Sequence, residues 1–234
     1  MAVIFKNNFI FAVLFFSLLI ADILIKLNLG VSPFRFVSKS LLSILLFVYY
    51  LLNEEEEFNA NRLAVAGALI FFIIGDNMLI LNQISVYNIL GICCFIIAKV
   101  FYVLRFYNNR DFNFKKLIPF FMLCFIYMAF LLIIIIENLN SQFYFITLVY
   151  LFVASTTLIF GVLRGSVVNK TSFYLVMLGI IASVLSDSIS VLELFYVNGV
   201  AYQEITIMLF YGISQYFIIL GIVNETQNKV VIEE

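Results

Sequence analysis

Runs of about twenty apolar residues, separated by short polar connections, recur along the whole chain, and this spacing constrains the fold more than any motif does. A helix rises 1.5 Å per residue and needs about 20 apolar residues to cross the hydrocarbon of a bilayer. By that criterion about eight spans are predicted: Asn8–Lys26, Pro33–Leu52, Arg62–Leu81, Val86–Arg105, Leu117–Ile136, Phe143–Val162, Ser172–Phe195 and Glu204–Val223. Composition agrees. Residues that are 12% charged and 65% hydrophobic cannot coat a soluble globule, in which the charged share is ~25%. The expected fold is all-α, a polytopic membrane helix bundle. Residues 1–223 form a single integral membrane domain, followed by a short, charged and loose cytoplasmic tail at 224–234. Lys6 and the apolar run after it resemble a signal peptide. The run passes Asp22 and reaches Leu27 without a small-residue cleavage site, so an uncleaved first helix is expected.

Several chemistries are disfavoured. The chain has no histidine, and Cys93, Cys94 and Cys124 all lie in apolar runs. Zinc sites need His or Cys ligands at particular spacings, so the cysteines read as small buried hydrophobes. The net charge of −1 and the lack of a basic patch argue against a nucleic-acid partner. No nucleophile elbow is present, because Gly161 to Gly165 contains Arg164 and no central serine. Neither a metal nor a mobile cofactor is required.

Orientation follows the Lys and Arg residues of short loops. With eight spans, Lys6, Arg62, Arg105, Arg110, Lys115, Lys116, Arg164, Lys170 and Lys229 fall on the side of the termini, against only Lys26 and Arg35 on the other. Both termini are therefore expected in the cytoplasm. The Phe-, Ile- and Asn-rich usage suggests an AT-rich genome and a bacterial inner membrane. The Glu54–Glu57 run reads as a solvated loop.

Asp76 and Asp187 stand in the middle of apolar runs, in Ile-Gly-Asp-Asn and Leu-Ser-Asp-Ser. An intramembrane carboxylate costs at least ~2.5–3.5 kcal/mol on insertion scales, and such residues pair, bind or do chemistry. At 1.5 Å per residue, Asp76 lies ~8 Å, Lys39 ~9 Å, Asp22 ~6 Å and Asp187 ~12 Å from the outer ends of their spans. Four helices thus place charge in one layer, with Lys99, Tyr102, Tyr211 and Gln215 deeper. Blander readings exist. Asp22 and Lys39 are near enough to helix ends to snorkel, Lys99 could form a structural ion pair, and Tyr102 and Tyr211 are two of thirteen tyrosines. Gln215 could bond neighbouring helices, and Ser186 and Ser188 their own helix carbonyls. Spans three and seven share a small residue, Asp and a small polar residue, which fits two four-helix halves related by an axis along the membrane normal.

Two carboxyls in a partly dry pocket can serve as an acid and a base. Such a pair suits cleavage of an acetal-like or enol-ether bond, in which a proton is delivered and an oxocarbenium ion is stabilised.

Ser38-Lys39-Ser40-Leu41-Leu42, Gly75-Asp76-Asn77-Met78-Leu79-Ile80, Gly91 to Phe95 with Ala98-Lys99 and Tyr102, Ser186-Asp187-Ser188 with Phe195, and Tyr211 to Gln215 with Gly221 together resemble the YhhN family. That family includes lysoplasmalogenases and the vertebrate transmembrane protein 86 group. The resemblance implies hydrolysis of the vinyl-ether bond of a lysoplasmalogen to a fatty aldehyde and a glycerophospho-base. Two positions depart from the family: Ser40 stands where Pro is usual, and Lys99 where His is usual. A lysine there offers charge rather than a group titrating near neutrality.

The expected site therefore has Asp76 and Asp187 as catalytic groups. Lys39 and Lys99 hold charge, and Asn77, Tyr102, Ser186, Tyr211 and Gln215 orient groups by hydrogen bonds. The partners are a lysophospholipid substrate and the surrounding membrane lipids. The alternatives are a proton- or ion-coupled transporter, or a non-catalytic lipid-binding protein.

Overall fold

A computed structural model describes residues 5–56, 58–81, 84–107, 114–136, 141–195 and 202–226. Its main helices are α1 (Asn8–Leu29), α2 (Pro33–Asn53), α3 (Asn59–Ile80), α4 (Ser85–Tyr107), α5 (Phe114–Ile135), α6 (Ser141–Leu163), α7 (Lys170–Phe195) and α8 (Gln203–Val223). A single 3₁₀ turn at Arg164–Ser166 joins α6 to α7. All eight helices are long and apolar enough to span a membrane. Each begins within a few residues of its predicted span. Where a helix runs further, as α3 does to Asn59 and α7 to Lys170, polar residues extend it past the hydrocarbon, since a helix does not have to end where its apolar run ends.

Local chemistry sets several boundaries. Asn7 caps α1 by accepting from the Phe9 and Ile10 amides at 3.0 and 3.3 Å. Gly30 stops α1 with φ of +56°, a conformation that costs a residue with a Cβ. Pro33 opens α2 at a position where its missing N–H has no helical partner to lose.

The helices close into a ring in the order α1, α2, α3, α4, α6, α7, α8 and back to α1, while α5 packs outside against α6 and α7. Helices α3 with α4 and α7 with α8 pack most closely. Glycines permit this. A Cβ at Gly75 would lie 2.6 Å from the Phe95 ring, and one at Gly179 would lie 2.8 Å from the Ile218 amide nitrogen and 2.9 Å from the Ser214 carbonyl. The buried core, built around Phe11, Phe15, Tyr49, Phe72, Tyr102 and Ile219, fills the ring toward the end that carries the termini.

That end holds an ionic latch. Arg105 pairs with Glu56 at 2.7 Å and with Glu225 at 2.9 Å, and Arg164 pairs with Glu225 at 2.6 Å. Arg164 also donates to Ser172, whose hydroxyl donates to the Gly221 carbonyl. Asn169 and Thr226 exchange backbone and side-chain bonds. Two expectations are corrected here. The start of the tail, Asn224 to Thr226, is clamped rather than loose. The acidic run is not simply solvated, because Glu54 pairs with Arg62 at 2.9 Å and Glu56 pairs with the buried Arg105. Desolvation offers a reason: once the two arginines are held in the fold, carboxylates must accompany them. Glu57, Arg110, Lys229 and the tail from 227 to 234 lie outside the described residues, as do the side chains of Lys115 and Lys116.

Candidate active site

Asp76 is 1% exposed on α3. Lys39 of α2 brings Nζ to 3.1 Å from its Oδ1, off the line of an aligned hydrogen bond. Its other oxygen accepts from Tyr211 of α8 at 2.7 Å and from Ser43 at 3.2 Å. Ser43 follows Lys39 by one helical turn, which puts both on the same face of α2.

Asp187 is built in the same way on α7. Lys99 of α4 lies 2.8 Å from Oδ2, and Tyr150 of α6 donates to Oδ1. Ser183, one turn earlier on α7, accepts from Lys99 at 2.7 Å and donates to Asp187 Oδ2 at 3.3 Å. Each carboxylate thus receives one ammonium, one phenol and one serine hydroxyl. The supply is exchanged between the halves. Lys comes from α2 and Tyr from α8 at Asp76, whereas Tyr comes from α6 and Lys from α4 at Asp187. Helices four apart in the chain therefore contribute to equivalent places, with the two residue types swapped. Both lysines also lie near the paired tyrosine rings, Lys39 at 6.0 Å from the Tyr211 centroid and Lys99 at 5.5 Å from that of Tyr150.

Asp76 and Asp187 line one cavity of about 130 Å³, together with Lys39, Tyr150, Ser186 and Tyr211. Its remaining wall is mostly apolar, from Leu79, Ile92, Phe95, Val191 and Met208, with Asn88, Thr147 and Ser190 as further polar groups. Phe95 and Tyr211, which line it, pack with Phe72 behind them, the three ring centroids lying 5.2 to 6.2 Å apart. Among the described residues, no three His, Cys, Asp or Glu side chains converge as a metal's donor set does.

The other candidates are placed as follows. Ser186 lines the cavity and donates to the Ile207 carbonyl at 3.1 Å, tying α7 to α8. Lys99, Tyr102 and Gln215 line a small void beneath it, where Tyr102 donates to Gln215 at 3.0 Å. Asn77 is not among the cavity's lining residues. It exchanges bonds with Ser40 and donates to the Ile73 carbonyl. The reason is helical geometry, since neighbours in a helix point about 100° apart, so Asn77 faces α2 when Asp76 faces the cavity. Asp22 and Lys39 do not snorkel: Asp22 is fully buried and accepts from Ser38, and Lys39 is 7% exposed.

Tyr150, Ser43 and Ser183 are site residues that the sequence reading missed. Tyr150 had no distinguishing signal among thirteen tyrosines. The two serines could have been found from their spacing of one turn from Lys39 and Asp187.

No curated protein and no solved structure matches the chain. The model of the YhhN family matches residues 34–222, which take in both aspartates, both lysines and both tyrosines, and the chain belongs to the YhhN family.

Proposed function

We propose that this membrane protein hydrolyses the vinyl-ether bond of a lysophospholipid, releasing a fatty aldehyde and a glycerophospho-base. One observation carries the reading: two buried carboxyls, each balanced by a lysine and held by a tyrosine, face one mainly apolar cavity. Family membership supports the same substrate class.

In the reaction, one carboxyl in its acid form gives a proton to the outer carbon of the enol ether. The carbon bonded to oxygen becomes an oxocarbenium ion, which a carboxylate alongside stabilises. Water adds to that carbon, and its proton passes to the ionised carboxyl. The resulting hemiacetal collapses to the aldehyde and the free glycerol hydroxyl. Lys39 and Lys99 balance charge as each Asp gains or loses its proton. Tyr211 and Tyr150 fix the carboxyl orientations, so little reorganisation accompanies the transfer.

The end of the bundle carrying Lys26 and Arg35 faces away from the cytoplasm in this reading, because most of the basic residues lie at the end of the termini. The test is turnover by purified protein of a vinyl-ether lysolipid and of the acyl ester with the same head group, followed by aldehyde and fatty-acid release. Aldehyde from the vinyl ether, with the ester nearly inert, supports the reading. Equal cleavage of the two overturns it, because an ester needs a nucleophile at its carbonyl rather than a proton at an enol carbon.

A further inference from the structure

Most polar side chains that line the catalytic chamber already have partners. Lys39 and Tyr211 hold Asp76, and Tyr150 holds Asp187. Ser186 donates to the Ile207 carbonyl and Ser190 to the Ser186 carbonyl. Thr147 of α6 and Asn88 of α4 differ. Both are buried and line the chamber, and among the described residues neither side chain has a hydrogen-bond partner. Nor are their polar atoms sealed by packing, so they open on the chamber. The Thr147 hydroxyl stands apart from its kind. Thr156, Thr157 and Thr206, like Ser188 and Ser190, return theirs to the carbonyl four residues back, a common way to satisfy a hydroxyl inside a helix. Asn88 lies where the chamber meets a wider polar cavity of about 490 Å³ at the end of the bundle away from the termini, and it lines both. Of these two cavities, Thr147 lines only the chamber.

Hydrolysis needs a water held against the oxocarbenium carbon with a base beside it. Thr147 sits one helical turn before Tyr150, so both face the same side of α6, and Tyr150 donates to Asp187. At 1.5 Å per residue, Thr147 lies ~9 Å and Asp187 ~12 Å from the outer ends of α6 and α7. Asp187 is also the more open of the two carboxyls, 8% exposed against 1% for Asp76. It accepts from Lys99, Ser183 and Tyr150, which leaves room for a further donor on a carboxylate with about four acceptor sites. We propose that Thr147 and Asp187 hold the attacking water between them, Thr147 as a positioning residue and Asp187 as the base. This assignment rests on the reading of the chamber as a vinyl-ether hydrolase site. The water donates one O–H to Thr147 Oγ1 and the other to Asp187, which leaves a lone pair to meet the carbon. As the new C–O bond forms, the π electron pair of the oxocarbenium returns to the ether oxygen. The proton that the water shared with Asp187 passes to that carboxylate. Asn88, at the junction, is where water arrives from the outer cavity rather than where it reacts.

Methanol tests this position, because it competes with water for the same carbon. Water gives the hemiacetal and then the aldehyde. Methanol gives a mixed acetal that keeps its glycerol, and the methanol O–H proton passes to Asp187. At fixed methanol, the ratio of acetal to aldehyde depends neither on the amount of folded protein nor on the speed of the first proton transfer. The ratio is measured with the full chain in nanodiscs and a vinyl-ether lysolipid. Thr147→Val keeps the shape and loses the hydroxyl, and it is expected to raise the ratio about tenfold, as for one hydrogen bond withdrawn from water. Thr147→Ser keeps the hydroxyl and a ratio near that of the wild type. Asn88→Leu moves the ratio less than Thr147→Val does. A ratio unmoved by valine, raised equally by serine, or moved by Asn88→Leu alone overturns the assignment. A raised KM with an unmoved ratio also overturns it and sets Thr147 against the lipid's glycerol instead. Neither aldehyde nor acetal from the wild type removes the hydrolase reading and the assignment with it. Aldehyde with an unmoved ratio removes the assignment alone.

Discussion

Lys99 reaches from α4 to Asp187 on α7 with a separation of 2.8 Å, and α6 packs between those two helices. The ion pair therefore spans the ring's interior rather than a helix–helix seam. Tyr102 with Gln215 crosses from α4 to α8 in the same way. Side-chain bonds across the middle fix the width of the ring where direct backbone packing is lacking.

Removing one partner of this pair strands a buried charge. Lys99→Met is expected to destabilise the protein by about 3–5 kcal/mol, the usual cost of an uncompensated buried ion. Adding Asp187→Asn should recover much of that loss. Thermal unfolding of the two single variants and the double variant measures the coupling. Purely additive losses would mean that the two groups do not depend on each other.

Catalysis gives a second expectation. Asp76→Asn and Asp187→Asn should each lower vinyl-ether turnover by at least ~10²-fold, the lower range for general acid–base catalysis. The amide keeps size and some hydrogen bonding but carries no exchangeable acid proton. The check is aldehyde release at saturating lysolipid. Near-normal rates in both variants would rule out the paired-carboxyl mechanism.

The latch at the terminal end makes stability depend on acid. Burial alone would raise the Glu225 carboxyl, but Arg105 and Arg164 outweigh it and hold that group below its ordinary value of 4.5. With a depressed folded value, the stabilisation is complete above the unfolded value. It fades as pH falls from there through the folded value. The difference in unfolding temperature between wild type and Glu225→Gln should therefore be constant near neutrality and shrink below about pH 4.5, the ordinary value of this group. A difference that stays constant down to the acid limit of folding would show that the latch contributes nothing through ionisation.

Gly179 offers a packing test. Alanine ordinarily favours a helix over glycine by up to ~1 kcal/mol. Here a Cβ would meet the backbone of α8 at 2.8 and 2.9 Å, and backbone cannot rotate away as a side chain can. Gly179→Ala is expected to lose about 1–3 kcal/mol by overpacking, net of that propensity. Unfolding in a series of denaturant concentrations checks the sign, and a stabilised variant would show that α7 and α8 can part without cost.

Apolar run length made the eight helices legible, because a span has few ways to satisfy its backbone in lipid. Charge in an apolar run made Lys39, Asp76, Lys99 and Asp187 legible for the related reason that such groups are costly there. Tyr150 stayed hidden because a tyrosine in a membrane helix stands out neither by charge nor by hydropathy. Arg105, Arg164, Glu56 and Glu225 read as loop charges, since nothing in linear order shows that a helix end, an interhelical turn, a loop and the start of a tail converge. Asn77 looked like part of the site through adjacency to Asp76, which in a helix separates residues rather than joining them.

Phe95 and Tyr211 line the chamber and pack on Phe72 behind them, so a layer of aromatic rings lies between the carboxylates and the small void lined by Tyr102 and Gln215. Under the proposed hydrolysis, water would reach the carboxyls, and the glycerophospho-base would leave, from the side away from these rings.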